Sequence, residues 1–235
     1  MAIRAVLFDL DGTLLPMDQS AFMKLYFGGL AKKLAPRGYE PKALIDAIWT
    51  GSAAMVQNDG TKMNETVFWE AFSSIFGDRV KEDIPYFDDY YRKEFRDAKN
   101  ACRLNPRVPE IIGLVKEKGL HLALATNPLF PEISTVTRIR WAGLEPSDFA
   151  LITTYENSGF CKPNPAYYLD VAKRIGVPPE ECLMVGNDVA EDMIAETVGM
   201  QVFLLTDDIL NRENQDISRY PSGSFEELYA YLKAL

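Results

Sequence analysis

The chain of 235 residues carries a net charge of −9, which argues against general nucleic-acid binding because nucleic-acid-binding proteins usually present a basic surface. Its hydrophobic residues, 47% of the total, suffice for a sizeable core, and its length fits one large domain or a core domain with a smaller insert. No apolar run approaches the roughly 20 residues of a membrane-spanning helix. The three cysteines are widely spaced and favour neither a disulfide framework nor a zinc site. We expect a cytoplasmic monomer or small homo-oligomer with no nucleic-acid or membrane partner.

Short apolar runs separated by helical patterns extend over most of the chain. The runs that predict buried strands are 4–8, 120–125, 150–153, 182–185 and 201–205. The patterns that predict helices are 109–118, 131–142, 165–175, 189–198 and 224–233. Strands that alternate with helices indicate an α/β fold, a doubly wound parallel sheet with right-handed crossovers.

The stretch 18–102 departs from this alternation, because it shows helical patterns and no convincing strand. Its predicted helices are 19–34, 41–56, 64–76 and 78–97. The stretch holds 14 of the 27 aromatic residues, which is more than its share of the length. We therefore predict an all-helical second domain, 18–102, inserted into an α/β core domain formed by 1–17 and 103–235. The alternative is a helical layer packed flat on the sheet.

Polar side chains follow four of the predicted strands, at the sheet edge where open α/β sheets bind their ligands. They are Asp9 and Asp11 after the first strand, Thr126 and Asn127 after the second, Lys162 beyond the third, and Asp188 and Asp192 after the fourth. Burying carboxylates without compensation costs several kcal/mol, so a cation is expected among them. We expect these acids and the lysine to converge in one site.

The residue types in this set suit the chemistry of phosphate esters. Asp9, Asp11 and Asp188 offer the hard oxygen ligands that Mg²⁺ prefers. Gly12 and the backbone that follows can present N–H groups to an anion, while the threonine hydroxyl and the lysine ammonium can bind phosphate oxygens. With phosphate held in this way, one carboxylate can attack phosphorus, and a second can protonate the leaving oxygen and then activate water.

The motifs DLDGTLL, ATN, CKPNP and VGNDVAED, in this order and spacing, resemble the four motifs of the haloacid dehalogenase-like (HAD) hydrolase superfamily. The resemblance covers the whole predicted α/β core, and the helical insert falls between the first and second motifs, as in members with an α-helical cap. It implies a Rossmann-like core in which Asp9 is the nucleophile and a ligand of Mg²⁺. It also implies that Asp11 is the general acid/base and binds the ion through its backbone carbonyl.

The remaining motifs imply the rest of the site. By the same resemblance, Thr126 and Asn127 hold phosphate, and Lys162 holds the nucleophile and the phosphoryl group together. Asp188 is the acidic metal ligand, with Asp192 close by. One departure concerns Asn187, because many relatives carry aspartate directly after the glycine of the fourth motif. Either Asp188 alone supplies the acidic ligand, or Asp188 and Asp192 share the metal ion. We favour Asp188 as the direct ligand and Asp192 as a direct or water-mediated one.

We predict a Mg²⁺-dependent hydrolase of small phosphate monoesters, a phosphatase that acts on a small phosphorylated metabolite through an aspartyl-phosphate. Dehalogenation is disfavoured, because dehalogenase relatives lack an aspartate at the position of Asp11. A sugar phosphomutase that uses the same aspartyl-phosphate chemistry is the main alternative. A non-catalytic binding module is a lesser one, because pure binding has no need for the complete set of acids and lysine.

Overall fold

A six-stranded parallel sheet forms the centre of the computed structural model, which describes residues 2–235. Its strands are β1 (Ala5–Phe8), β2 (His121–Leu124), β3 (Leu151–Ile152), β4 (Cys182–Gly186), β5 (Gln201–Leu205) and β6 (Ser222–Gly223). They lie in the order β3-β2-β1-β4-β5-β6, and the prediction of a doubly wound parallel sheet is confirmed. The sequence patterns did not indicate β6, since a strand of two residues leaves no periodic signal.

Helices cover both faces of the sheet and fill the stretch between β1 and β2. They are α1 (Gln19–Leu34), α2 (Pro41–Val56), α3 (Asn64–Phe76), α4 (Val80–Arg92), α5 (Arg107–Glu117), α6 (Glu132–Trp141), α7 (Pro165–Ile175) and α8 (Phe225–Ala234). None of these helices, over residues 2–235, is both long and apolar enough to cross a membrane.

Two predicted helices are shorter than their sequence patterns. The stretch 78–97 is α4 followed by a separate 3-10 helix, Glu94–Ala101, in which Phe95 is fully buried against Phe22 of α1. The stretch 189–198 is helical only over Met193–Val198, as a 3-10 helix. There the carboxylate of Asp188 accepts hydrogen bonds from the backbone N–H groups of Ala190 and Glu191 and forms a turn that replaces the first helical turn.

Successive side chains of β1 point to opposite faces of the sheet, and each face has its own apolar cluster. Ala5 and Leu7 pack on the side of α7. Val6 and Phe8 pack on the side of α5 and α8, in a cluster that also contains the buried residues of α1 to α4. The apolar interior of the helical stretch is therefore continuous with one face of the sheet.

The order of the strands reverses at β1. The chain runs outward from β1 to β2 and β3, and then returns to form β4 on the other side of β1. Phe8 at the end of β1 pairs with Leu124 of β2 and with Val185 of β4, so the carboxyl ends of these three strands lie side by side. The loops that leave such a switch point enclose a crevice.

Candidate active site

A polar pocket of about 170 Å³ opens at the carboxyl ends of β1, β2 and β4. The residues of the expected site that line it are Asp9, Asp11, Thr126, Asn127, Asp188 and Asp192. Lys162 lies buried beside the pocket, and its ammonium group reaches the carboxylate of Asp9. The structure therefore brings together the acids and the lysine that the sequence motifs single out.

The turn after β1 fixes the direction of Asp9. The backbone N–H of Asp9 still donates to Val185 of β4, and the chain then folds back so that Leu15 N–H donates to the Leu10 carbonyl at 2.8 Å. Gly12 has a φ of +87°, and a Cβ built there would lie 2.3 Å from Nδ2 of Asn187. Its own N–H donates to the Leu15 carbonyl, and Gly12 lets the turn pack closely against Asn187, while an anion contact of Gly12 stays a prediction.

Lys162 joins two of the acids in the interior. Its Nζ lies 2.8 Å from Oδ1 of Asp9 and 2.6 Å from Oδ1 of Asp192, and its side chain is fully buried. Burial by itself lowers the pKa of the Lys162 ammonium, but the two carboxylates raise it well above its usual value. The lysine is therefore a fixed positive charge beside the carboxylate of Asp9.

Thr126 and Asn127 lie at the end of β2 and differ in what their groups contact. The side chain of Asn127 accepts the backbone N–H of Lys162 at 3.2 Å and donates to Glu191 at 3.1 Å. It therefore ties the lysine loop to the end of β2. The carbonyl of Thr126 accepts a hydrogen bond from the hydroxyl of Tyr167 at 3.0 Å, and the residue lines the pocket.

The acids after β4 have separate partners. Oδ1 of Asp188 accepts the N–H groups of Ala190 and Glu191, and its Oδ2 accepts a hydrogen bond from Arg212 at 2.6 Å. Oδ2 of Asp192 accepts the N–H of Asp188 at 3.0 Å, while its other oxygen holds Lys162. Asp188 therefore lies at the pocket with an exposed arginine as its side-chain partner, and Asp192 anchors the buried lysine.

The sequence did not predict a role in the site for three residues, Thr13, Arg138 and Arg212. The hydroxyl of Thr13 donates to Oδ1 of Asn187 at 3.0 Å, which joins the turn after β1 to the end of β4. Arg212 comes from the irregular chain after β5, where an exposed arginine carries no sequence signal. Arg138 did leave a signal, because it falls on the buried face of α6, four residues after Ser134 and three before Trp141.

Arg138 is fully buried and pairs with the carboxylate of Asp11. Its guanidinium lies over the ring of Phe130, 4.5 Å from the ring centre, and its Nη2 donates to the hydroxyl of Thr135. Burial raises the pKa of Asp11, Arg138 lowers it and the charge of Asp9 raises it, so that the pKa of Asp11 lies above its ordinary value. The second carboxylate oxygen of Asp11 is buried without a hydrogen-bond partner.

The oxygen atoms at the pocket fit a small hard cation. Within residues 2–235, no three His, Cys, Asp or Glu side chains are arranged as a metal-binding group. Mg²⁺ does not need such a group, since it is usually held by one or two carboxylates together with waters and substrate phosphate. Asp9 and Asp188 supply two carboxylates at the pocket, and the unpartnered oxygen of Asp11 is a further buried acceptor beside them.

These features are those of a Rossmann-like hydrolase core. The sheet is parallel and doubly wound, carboxylates and a buried lysine lie at its switch point, and helices are inserted after the first strand. The family model of haloacid dehalogenase-like hydrolases matches residues 3–195 of the chain. The chain therefore belongs to this family.

Individual relatives agree with this assignment. A phosphoglycolate phosphatase from Shigella dysenteriae is 29% identical, over 99% of this chain and 92% of its own length. The crystal structure of a HAD phosphatase from Thermococcus onnurineus superposes with a TM-score of 0.58 at 19% identity and covers 98% of each chain. A 2-haloacid dehalogenase from Pseudomonas syringae has a TM-score of 0.63 at 21% identity, with 99% of this chain and 98% of its own covered. These two structures share the fold. The family model and the phosphatase relative confirm the prediction of a phosphatase-type member of the family.

Proposed function

We propose that the protein is a Mg²⁺-dependent hydrolase of small phosphate monoesters that acts through an aspartyl-phosphate on Asp9. One observation carries this proposal. The carboxylate of Asp9 lies at the switch point of the sheet, lines the polar pocket and is held by the ammonium of a fully buried lysine. The relatives named as phosphatases support the same reaction class.

In the first step, an oxygen of Asp9 attacks phosphorus while the bond from phosphorus to the ester oxygen breaks. Lys162, 2.8 Å from Oδ1 of Asp9, orients the nucleophile and balances the charge that the phosphoryl group brings. Asp11 in its protonated form gives its proton to the departing alkoxide, for which its raised pKa is suited.

In the second step, water attacks the phosphorus of the aspartyl-phosphate and the bond to Asp9 breaks. Asp11, now a carboxylate, accepts the proton of this water. Arg138 pairs with that carboxylate and holds it at the pocket between the two steps. The products are the alcohol and inorganic phosphate, and both aspartates return to their starting states.

The metal ion would be held by the carboxylates of Asp9 and Asp188 and by the backbone carbonyl of Asp11, with Asp192 kept as the anchor of Lys162. When bound, Mg²⁺ supplies positive charge against the phosphate oxygens. We further propose that residues 18–102 form a cap domain over a core of 1–17 and 103–235, and that this cap sets which small phosphorylated metabolite is hydrolysed.

A phosphate-release screen tests the proposal. Purified protein is incubated with sugar phosphates, nucleotides, small acid phosphates and p-nitrophenyl phosphate, each with Mg²⁺ and with excess chelator. We expect Mg²⁺-dependent release of phosphate and its loss in chelator. Full turnover in excess chelator would refute the metal dependence, and the absence of phosphate release from every ester would refute the hydrolase.

A further inference from the structure

A second cavity lies next to the polar pocket. It has a volume of about 190 Å³ and is bordered by α1, α2, α3, α4 and the chain that follows β2 and β3. Leu129 and Phe130 line both cavities, so the two spaces are neighbours that share these side chains as a wall. A molecule whose phosphate contacts Asp9 has this cavity as the adjoining space for the rest of its structure.

The lining of this cavity is apolar and aromatic. Its aromatic side chains include Phe27, Trp49, Phe68, Trp69, Tyr91 and Phe130. Among the described residues that line it there is no lysine, arginine or histidine, and Asp88 is the charged one. The side chain of Asp88 is 40% exposed and has Arg92 as a neighbour at 4.0 Å, so its charge is screened by solvent.

The size of the cavity suits one ring or a short branched chain. An apolar cavity of about 150 Å³ accommodates benzene in a well-studied case, and this one is somewhat larger. Apolar surface that enters such a space leaves water, which favours binding. A carboxylate or a second phosphate would lose its hydration there and would meet no cation in exchange.

We propose that this cavity binds the organic group of the substrate and selects phosphate monoesters whose alcohol is apolar and uncharged, with about the size of a benzyl group. The inference rests on the proposed function, because it assigns the substrate class of the same site. The aromatic faces also admit a cation, and a quaternary ammonium group is therefore the competitor that the test includes.

Steady-state kinetics with three esters separate these possibilities. They are benzyl phosphate, phosphoglycolate and phosphocholine, which carry an apolar, an anionic and a cationic group. With Mg²⁺ present, we expect kcat/KM for benzyl phosphate to exceed each of the other two by at least tenfold. An equal or higher kcat/KM for phosphoglycolate or for phosphocholine overturns the inference.

Substitutions of residues that line the cavity test whether the cavity is the source of the selectivity. Trp49 lines the cavity and is 53% exposed, so Trp49→Ala leaves the buried core in place. We expect it to raise KM for benzyl phosphate at least fivefold with kcat almost unchanged. Ile75 on α3 is 48% exposed and lies outside the cavity lining, which makes Ile75→Ala the matched control with unchanged kinetics. Equal effects of the two substitutions contradict the assignment of the cavity.

A substitution that reverses the preference between apolar and anionic esters tests the cavity more strictly than the loss of an aromatic side chain. Ser52 of α2 lines the cavity, and Ser52→Arg adds a cation to it. We expect kcat/KM to fall for benzyl phosphate and to rise for phosphoglycolate, so that their ratio changes at least tenfold. An unchanged ratio in a folded protein overturns the inference.

Binding without turnover separates a failure of this inference from a failure of the proposed function. The Asp9→Asn protein is titrated calorimetrically with benzyl phosphate in Mg²⁺, alone and combined with Trp49→Ala. Binding that weakens at least fivefold in the combined variant supports the cavity even if no ester is hydrolysed, in which case the proposed function alone fails. Hydrolysis of all three esters at similar rates supports the proposed hydrolase activity and refutes the preference for apolar esters.

Discussion

Arg138 brings a positive charge into the interior, where an unpaired ion costs several kcal/mol. Two arrangements stabilise it, a carboxylate partner in Asp11 and an aromatic face in Phe130. Because Phe130 also lines both cavities, the same few side chains connect Asp11, the proposed acid/base, with the wall of the proposed substrate cavity. Under the proposed mechanism, Arg138 is a positioning residue, since it would act on the reaction through Asp11.

Substitution of Arg138 tests this role. In Arg138→Met, Asp11 loses its partner, and we expect kcat/KM for an alkyl phosphate to fall about 10–100-fold, while kcat/KM for p-nitrophenyl phosphate changes little because its leaving group needs no proton. Arg140→Met, on the exposed side of the same helix, is the control. Equal losses with both esters, at an unchanged melting temperature, would make Arg138 structural only.

The two acids after β4 are expected to differ in what they hold. Asp188→Asn removes a ligand charge, and we expect the Mg²⁺ concentration for half-maximal activity to rise at least tenfold. Asp192→Asn removes a partner of the buried Lys162, so we expect kcat to fall with a much smaller change in the Mg²⁺ requirement. Titration of activity with Mg²⁺ in both variants decides the matter, and the opposite ranking would show that Asp192 is the main ligand.

At the scale of the elements, the site depends on close contact between the end of β4 and the chain that follows it. Gly186 ends β4, and a Cβ built there would lie 2.1 Å from Oδ2 of Asp192. Any side chain at this position must displace Asp192, and with it the buried ammonium of Lys162. The glycine is thus required by the packing of the site and not by its backbone angles.

A pair of glycine substitutions tests this contact. Gly186→Ala is expected to lower kcat/KM for p-nitrophenyl phosphate at least 100-fold, because small displacements of a catalytic group are costly. Gly28 lies exposed in the middle of α1 with no atom within 4 Å of the added Cβ. Gly28→Ala is expected to leave that activity unchanged and to raise the free energy of unfolding by about 0.5–1 kcal/mol. Near-normal activity of Gly186→Ala would contradict the proposed geometry.

The helices and strands were predictable from the sequence where local residue patterns mark their bounds. The pattern for α7 gave its bounds, Pro165–Ile175, because the capping Asn164 and the following Gly176 mark both ends. The acids and the lysine were predictable because each follows a strand at the same sheet edge. The place of Arg138 on the buried face of α6 was a local signal, but its partner and that of Thr13 were not identifiable, because these contacts join residues 127 and 174 positions apart. No local pattern reports such distant pairs.

At the scale of the whole molecule, a net charge of −9 opposes the binding of an anionic substrate. Three of the positive groups lie beside the pocket where the phosphate is expected. Lys162, Arg138 and Arg212 each pair with an acid that lines the polar pocket, so they offset part of the negative charge of its carboxylates. The adjoining cavity, in contrast, has no cation among its described lining residues. Under the two proposals, the molecule therefore separates the site for phosphate from the site for the organic group.

The formation of a phosphorylated aspartate tests the central claim most directly. Wild-type, Asp9→Asn and Asp11→Asn proteins are mixed with ³²P-labelled p-nitrophenyl phosphate and Mg²⁺, quenched with acid within milliseconds to seconds, and digested to locate the label. We expect transient label on Asp9 itself in the wild type, accumulated label in Asp11→Asn because hydrolysis lacks its base, and none in Asp9→Asn. Label on Asp11, or equal labelling of the Asp9→Asn protein, would contradict the account.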